Sequence, residues 1–327
     1  MNHTFHDSRP FYRIFPSRRQ SYWSRQRKPH PLPLDRPAFS TLARWPQHAL
    51  PFQVRTSPVA QKYLALLRPV NWEAFPERMP NQIWAGPRPV SPVPYLIALL
   101  IKLDQRHRSL QQLSEFLITH PELVWLAGFP LVPRPDSIWG FHVAASVPSA
   151  AQFSRVLRRL SNNRLQFLLD ETVWAIQSAL PTGTAFGNVV SIDTKHILAW
   201  TRENNPKAYI KEGRFDKTQQ PKGDPDCRLG CKRRRNQRKK QESADTTPAK
   251  EGKPASAVGV GIGEFYWGYA SGAVVTKVPG WGEFVLAELT QTFDKSDTSY
   301  FFPLMEQVER RLGCRPQFGT ADACLLY

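Results

Sequence analysis

The sequence predicts an α/β chain in which an all-α N-terminal part precedes a mixed sheet. Three observations carry this expectation. Apolar residues between about 92 and 180 recur at helical spacing. From Asn188 the pattern turns β-branched and loses that period, as in NVVSIDTKHILAW (188–200). A single helical stripe, Tyr300, Leu304, Val308 and Leu312, then sits between strand-like runs, which favours parallel pairing of the last strand with an earlier one.

Residues 1–56 are rich in Arg, Pro, Ser and aromatics without a sustained period, and read as a basic disordered arm. A helical domain is expected over 57–181. A short helix fits Pro58–Leu67, and 76–94 is punctuated by proline. The next helix carries the stripe Tyr95, Leu96, Leu99, Leu100 and Leu103. Ser109 opens another, with Leu110, Leu113, Phe116 and Leu117 on one face. Ser149 and Gln152 form a capping box ahead of Phe153, Val156, Leu157 and Leu160. A fourth helix runs from about Asn163 to Leu180, with Leu165, Leu168, Leu169, Ile176 and Leu180 inward. Over 187–327 the reading is strand (188–200), polar basic insertion (203–254), strands at 257–263, 266–278 and 283–292, helix, and a last strand at about 317–321. Asp297 suits the start of that helix and Gly313 its left-handed end.

The 327 residues carry a net charge of +17. Residues 1–90 hold 14 Lys/Arg against 4 Asp/Glu, and 203–254 hold 15 against 8. The excess sits outside the apolar segments, which points to a polyanion such as DNA or RNA; a solvated tail is the plain alternative. Four cysteines make no disulfide framework. No apolar run reaches the ~20 residues of a membrane span, and Met1–Arg27 lacks a signal peptide. A cytoplasmic protein without a membrane partner is expected.

Asp193 lies in the first strand and Asp322 at the end of the last. If those strands are parallel neighbours, both carboxylates project from one sheet edge, as hard oxygen ligands for Mg²⁺ or Mn²⁺. An aspartate at a strand end is otherwise a cap or turn residue. Lys195 shares the Asp193 face, as a phosphate contact or a strand-end charge, and His196 takes the other face, packed. The run Lys232, Arg233, Arg234, Arg235, Arg238, Lys239 and Lys240 puts seven cations in nine residues, a clamp for DNA phosphates or a solvated loop. Arg155, Arg158 and Arg159 lie opposite Phe153 and Val156, as a DNA-facing helix or an ordinary polar face. Cys227 and Cys231 form C-x₃-C without a nearby second pair, weak support for zinc.

The strand SIDTKHI (191–197) and YFFPLMEQVERRLGCRPQFGTADA (300–323) resemble bacterial insertion-sequence transposases of the DDE class. So do SLQQLSEFLITHPELVWLAGF (109–129) and VPSAAQFSRVLRRL (147–160), and the resemblance runs in order over about 57–327. It implies an RNase H-like sheet with catalytic, metal-binding acids at Asp193 and at Asp322, the latter in a G-x-x-D-A context with Gly319 and Ala323. It implies Mg²⁺ or Mn²⁺, double-stranded DNA (element ends and target) as partner, a nucleoid association and a possible homo-oligomer. The family's third acid, a glutamate on a downstream helix, has no counterpart, and the tail CLLY (324–327) departs from the usual continuation. The expectation is therefore an incomplete, C-terminally truncated catalytic domain, impaired in activity, with an uncovered sheet face and marginal stability. Glu283, Glu288, Asp294 and Asp297 are not expected to substitute. A non-catalytic DNA-binding remnant or inhibitor of a full-length enzyme is the alternative, and a nuclease acting on RNA or hybrids a third.

Overall fold

The computed structural model describes residues 31–77, 91–210, 212–232 and 264–321. These divide into two compact units, up to Leu168 and from Leu169 on. Among the described residues no helix is long and apolar enough to cross a membrane.

The first unit is helical. Short helices α1 (Phe39–Ala43) and α2 (Phe52–Thr56) precede α3 (Pro58–Leu67). Then follow α4 (Val93–Asp104), α5 (Leu110–Thr119), α6 (Pro121–Ala127), α7 (Val143–Ser146) and α8 (Ala150–Arg159). Helix α3 starts where the sequence places it, because Ser57 Oγ accepts the Ala60 N–H and Pro58 fits the first turn. Tyr63, Trp125, Phe129, Phe141 and Phe153 are fully buried in one core.

Three expectations for this unit need correction. Residues 31–56 are not a disordered arm: Leu32, Phe39, Leu42, Leu50 and Val54 are buried in the helical core. Proline breaks keep each apolar group too short to show a period, yet burial of these side chains offsets the ordering cost. In α4 the buried positions are Tyr95, Leu96, Ile97, Ala98 and Ile101, whereas Leu103 is exposed; the helix is apolar nearly all round, so its stripe is ambiguous. The reciprocal capping box is at Ser109 and Gln112. At Ser149 only the first half forms, and the Gln152 amide donates instead to Tyr95 OH.

Helix α9 (Asn162–Ala179) spans the division. Its second half, Leu169, Val173 and Ile176, belongs to the core of the second unit, so the helical domain does not run intact to residue 181.

Among the described residues the second unit is a mixed five-stranded sheet with helical cover on one face. Its strands are β1 (Val189–Leu198), β2 (Arg228–Lys232), β3 (Glu264–Val278), β4 (Gly282–Thr292) and β5 (Phe318–Ala321). A 3-10 turn, Asp297–Tyr300, leads into α10 (Phe301–Leu312). Long β3 pairs antiparallel with β1, β2 and β4, and β5 lies parallel to β1. The parallel pairing expected from the strand–helix–strand order is thus present. The insertion is not polar throughout, since β2 joins the sheet and Cys227, Leu229 and Trp267 make a small buried cluster with Ala199. Residues 233–254 and the expected strand at 257–263 lie outside the described residues.

On the covered face Tyr300, Leu304 and Val308 pack against Val190, Ile192 and Val274. Gly272 is required there, because an added Cβ would lie 2.6 Å from the Tyr300 ring. Tyr300 OH donates to Ala270 O at 2.8 Å, and burial pushes that phenol up to about 12. Helix α10 ends at Gly313, φ 72°, as the sequence predicts.

One irregularity sets the far side of the sheet. Val274 pairs with Ala287 and Val275 with Val285, so Leu286 is an extra residue in β4. Buried Arg311 donates to its carbonyl at 2.7 Å. The same guanidinium bonds Asp170 of α9 at 2.6 Å, and Arg310 bonds both Asp170 oxygens. Burial alone would raise the Asp170 carboxyl, but these hydrogen bonds win and hold it below the usual carboxylate range.

Candidate active site on the open sheet face

Strand alternation divides β1 cleanly. Val190 and Ile192 are buried, whereas Ser191, Asp193 and Lys195 are exposed on the opposite face. Asp193 is mid-strand; its Oδ1 accepts the Thr194 N–H at 2.8 Å. Thr194 itself faces the core side, where its hydroxyl donates to Asp297 Oδ1 at 3.3 Å. That bond ties Asp297 to the face opposite Asp193, as its exclusion from the acid set requires.

The β1–β5 ladder runs from Val189 beside Phe318 to Ile192 beside Ala321. Its last described pair stands immediately before both aspartates in sequence. Asp322 lies outside the described residues, but its predecessor is the parallel partner of the predecessor of Asp193. Ser191 Oγ and Thr320 Oγ1, 2.8 Å apart, lock the two strands in this register on the open face.

The register also brings forward an acid that the sequence reading set aside. Asp193 is opposite Ala273, and Ala273 is opposite Glu288. Opposed residues share a face, so Glu288 stands in the row of Asp193, two strands away (about 10 Å between backbones), with only a methyl between. Its Oε1 accepts from Ser271 Oγ at 2.8 Å and Thr290 Oγ1 at 2.6 Å. Period-2 reading of FVLAE puts Glu288 with Phe284 and Leu286 on the core face; the extra residue Leu286 reverses that. Glu283 sits further along the open face, paired with Lys277 at 3.5 Å, and Asp294 is exposed beyond the end of β4.

Lys195 follows Asp193 on the same face, opposite Ser271. His196 is on the other face, its ring 4.2 Å from that of Phe293 and 6.0 Å from that of Tyr266, a packed position as expected. Arg155, Arg158 and Arg159 are all exposed on α8, opposite buried Phe153; Arg158 bonds only locally, to Ser154 Oγ at 3.2 Å. Lys232 closes β2 beside Glu264. Arg233, Arg234, Arg235, Arg238, Lys239 and Lys240 lie outside the described residues.

The cysteines give zinc little. Cys227 is buried, its thiol donates to Asp224 O at 3.1 Å, and burial pushes it up to about 11, away from the thiolate a metal needs. Cys231 is exposed on β2. Among the described residues no three His, Cys, Asp or Glu are grouped to hold a metal ion. Asp193 supplies one hard oxygen donor, and a Mg²⁺ or Mn²⁺ site on this face needs Asp322 as well. No family model, curated protein or solved structure matches this chain.

Proposed function

We propose that the chain is a DNA transposase of the DDE class, built on an RNase H-like sheet, that cuts and joins phosphodiesters at element ends. One observation carries the reading: the parallel register that pairs Ile192 with Ala321, immediately ahead of Asp193 and Asp322. The three-strand antiparallel meander β1–β3–β4, followed by a helix and a strand parallel to the first, accords with the sheet the resemblance implies. Asp193 and Asp322 would hold Mg²⁺ or Mn²⁺, which supplies charge stabilisation for phosphoryl transfer. Lys195 lies on the same face to meet phosphate. Arg155, Arg158 and Arg159, with the run from Lys232 to Lys240, fit the DNA backbone as sequence-independent contacts.

A second reading, DNA binding without cleavage, is favoured by exposed Arg155, Arg158 and Arg159 on α8, which need no metal to meet phosphate. One set of measurements separates the two. Mn²⁺ binding and Mg²⁺-dependent nicking of supercoiled DNA are compared for wild type, Asp193→Asn and Asp322→Asn. The catalytic reading expects each variant to weaken Mn²⁺ binding by at least about tenfold and to abolish nicking. Wild type that binds DNA with a steep salt dependence, yet neither binds Mn²⁺ nor nicks, establishes the second reading. Unchanged Mn²⁺ binding in both variants overturns the site.

A further inference from the structure

The helical unit contains a cavity of about 150 Å³ lined by Arg36, Phe39, Ser40, Trp72, Val93 and Gly128, among others. Arg36 has an unusual position in it. Its Nη1 is fully buried and has no hydrogen-bond partner among the described residues. The guanidinium lies against bare backbone, since an added Cβ at Gly128 would fall 2.9 Å from Nη2. Burial lowers this guanidinium to about 10, with no neighbouring charge contributing. A carboxylate does line the cavity, but Glu77 Oε1 accepts from Ser91 Oγ at 2.9 Å and forms no ion pair with Arg36.

The contrast with Arg311 shows what a structural buried arginine looks like in the same chain. Arg311 is buried as a whole residue, whereas Arg36 is half-buried with Nη1 withdrawn from water, and Arg311 is satisfied by Asp170, Leu286 O and Gln307. A buried guanidinium nitrogen without a partner is costly, and an ion that completes it offsets that cost. The nearby start of α4 adds little of its own. The Val93 N–H is taken by Ser91 Oγ at 3.2 Å, and Pro94 has no N–H. The guanidinium is therefore the recognising group, and its planar fork matches an oxyanion.

We propose that this cavity is a binding site for a phosphoryl oxyanion, held by Arg36 with Ser40 beside it. The volume accommodates one such group with a few waters and is too small for a nucleoside to follow it inside. The ligand is either free phosphate or the phosphate of a nucleotide chain seated at the cavity mouth. The proposal stands apart from the sheet site and survives its failure.

The test measures phosphate binding to the full chain by calorimetry, and its thermal midpoint in phosphate against chloride at matched ionic strength. Saturable phosphate binding is expected for wild type and is weakened about tenfold or more in Arg36→Met. In chloride, Arg36→Met is as stable as wild type or more so, because a buried nitrogen without a partner has been removed. Ser40→Glu is the second variant: a carboxylate in the cavity raises the midpoint in chloride and cancels the phosphate response. Arg155→Gln/Arg158→Gln leaves phosphate binding unchanged. Competition by a 5′-phosphorylated dinucleotide, and not by its unphosphorylated form, assigns the source to a nucleotide chain; competition by neither assigns it to free phosphate. Absence of saturable binding to wild type overturns the proposal, as does a response equal in wild type and Arg36→Met.

Discussion

The two faces of the sheet are made from alternate residues of the same strands, yet they differ in almost every physical respect. One presents Val190, Ile192, Val274 and Ala287 to Tyr300, Leu304 and Val308, dry and closely packed. The other presents Ser191, Asp193, Lys195, Ser271, Glu288 and Thr290 to solvent, held by side-chain hydrogen bonds. The covered face carries the stability of the unit, and the open face carries the acids, hydroxyls and lysine of the proposed site. Substitutions on the two faces should therefore separate folding from binding.

The sharpest break is at the support of the covered face. Asp170→Ala strands buried Arg311 and should cost about 3–5 kcal/mol in urea denaturation. Leu304→Ala should cost about 2–5 kcal/mol, as a cavity in the packed layer. Gly272→Ala forces a methyl against Tyr300 and should cost about 1–3 kcal/mol. The Asp170 interaction also sets an acid limit. With the folded-state pKa held below the unfolded value of about 4, its contribution is complete above that pH. It is lost as pH falls through the depressed folded value. Asp170→Asn should accordingly flatten the acid limb of a stability–pH profile; an unaltered limb would remove the pair from the account.

On the open face the same measurement should register little. Ser191→Ala removes one exposed hydroxyl pair and should cost under about 1 kcal/mol. Asp193→Asn should fall within about 0.5 kcal/mol of wild type. A large loss there would make the open face a structural surface and erase the contrast.

Legibility in the sequence follows the same division. Strands β1 and β3, helix α10 with its glycine stop, and the parallel β5 were readable because unbroken periods and a capping glycine encode them locally. Helix α3 was readable from Ser57 and Pro58. Residues 31–56 were not, since proline-separated pairs such as Phe39 and Leu42 show their burial only when the core forms around them. Of the site, Asp193 was visible from its strand, and Lys195 and His196 took the faces that alternation assigns. Glu288 was hidden, because its face depends on a pairing irregularity with no signature in β4 alone. Arg36 was hidden for a related reason: a guanidinium nitrogen buried without a partner among the described residues is a property of its surroundings.

The extra residue Leu286 acts as a phase shift within β4. Upstream of it odd-numbered side chains meet the solvent; downstream of it even-numbered ones do. Strict alternation through the same residues, without the bulge, would exchange the addresses of Glu288 and Leu289, sending a carboxylate into the oily layer and a leucine out to water. The carbonyl that the phase shift frees is held by Arg311. An ion pair beneath the sheet thus keeps the reading frame of the surface above it.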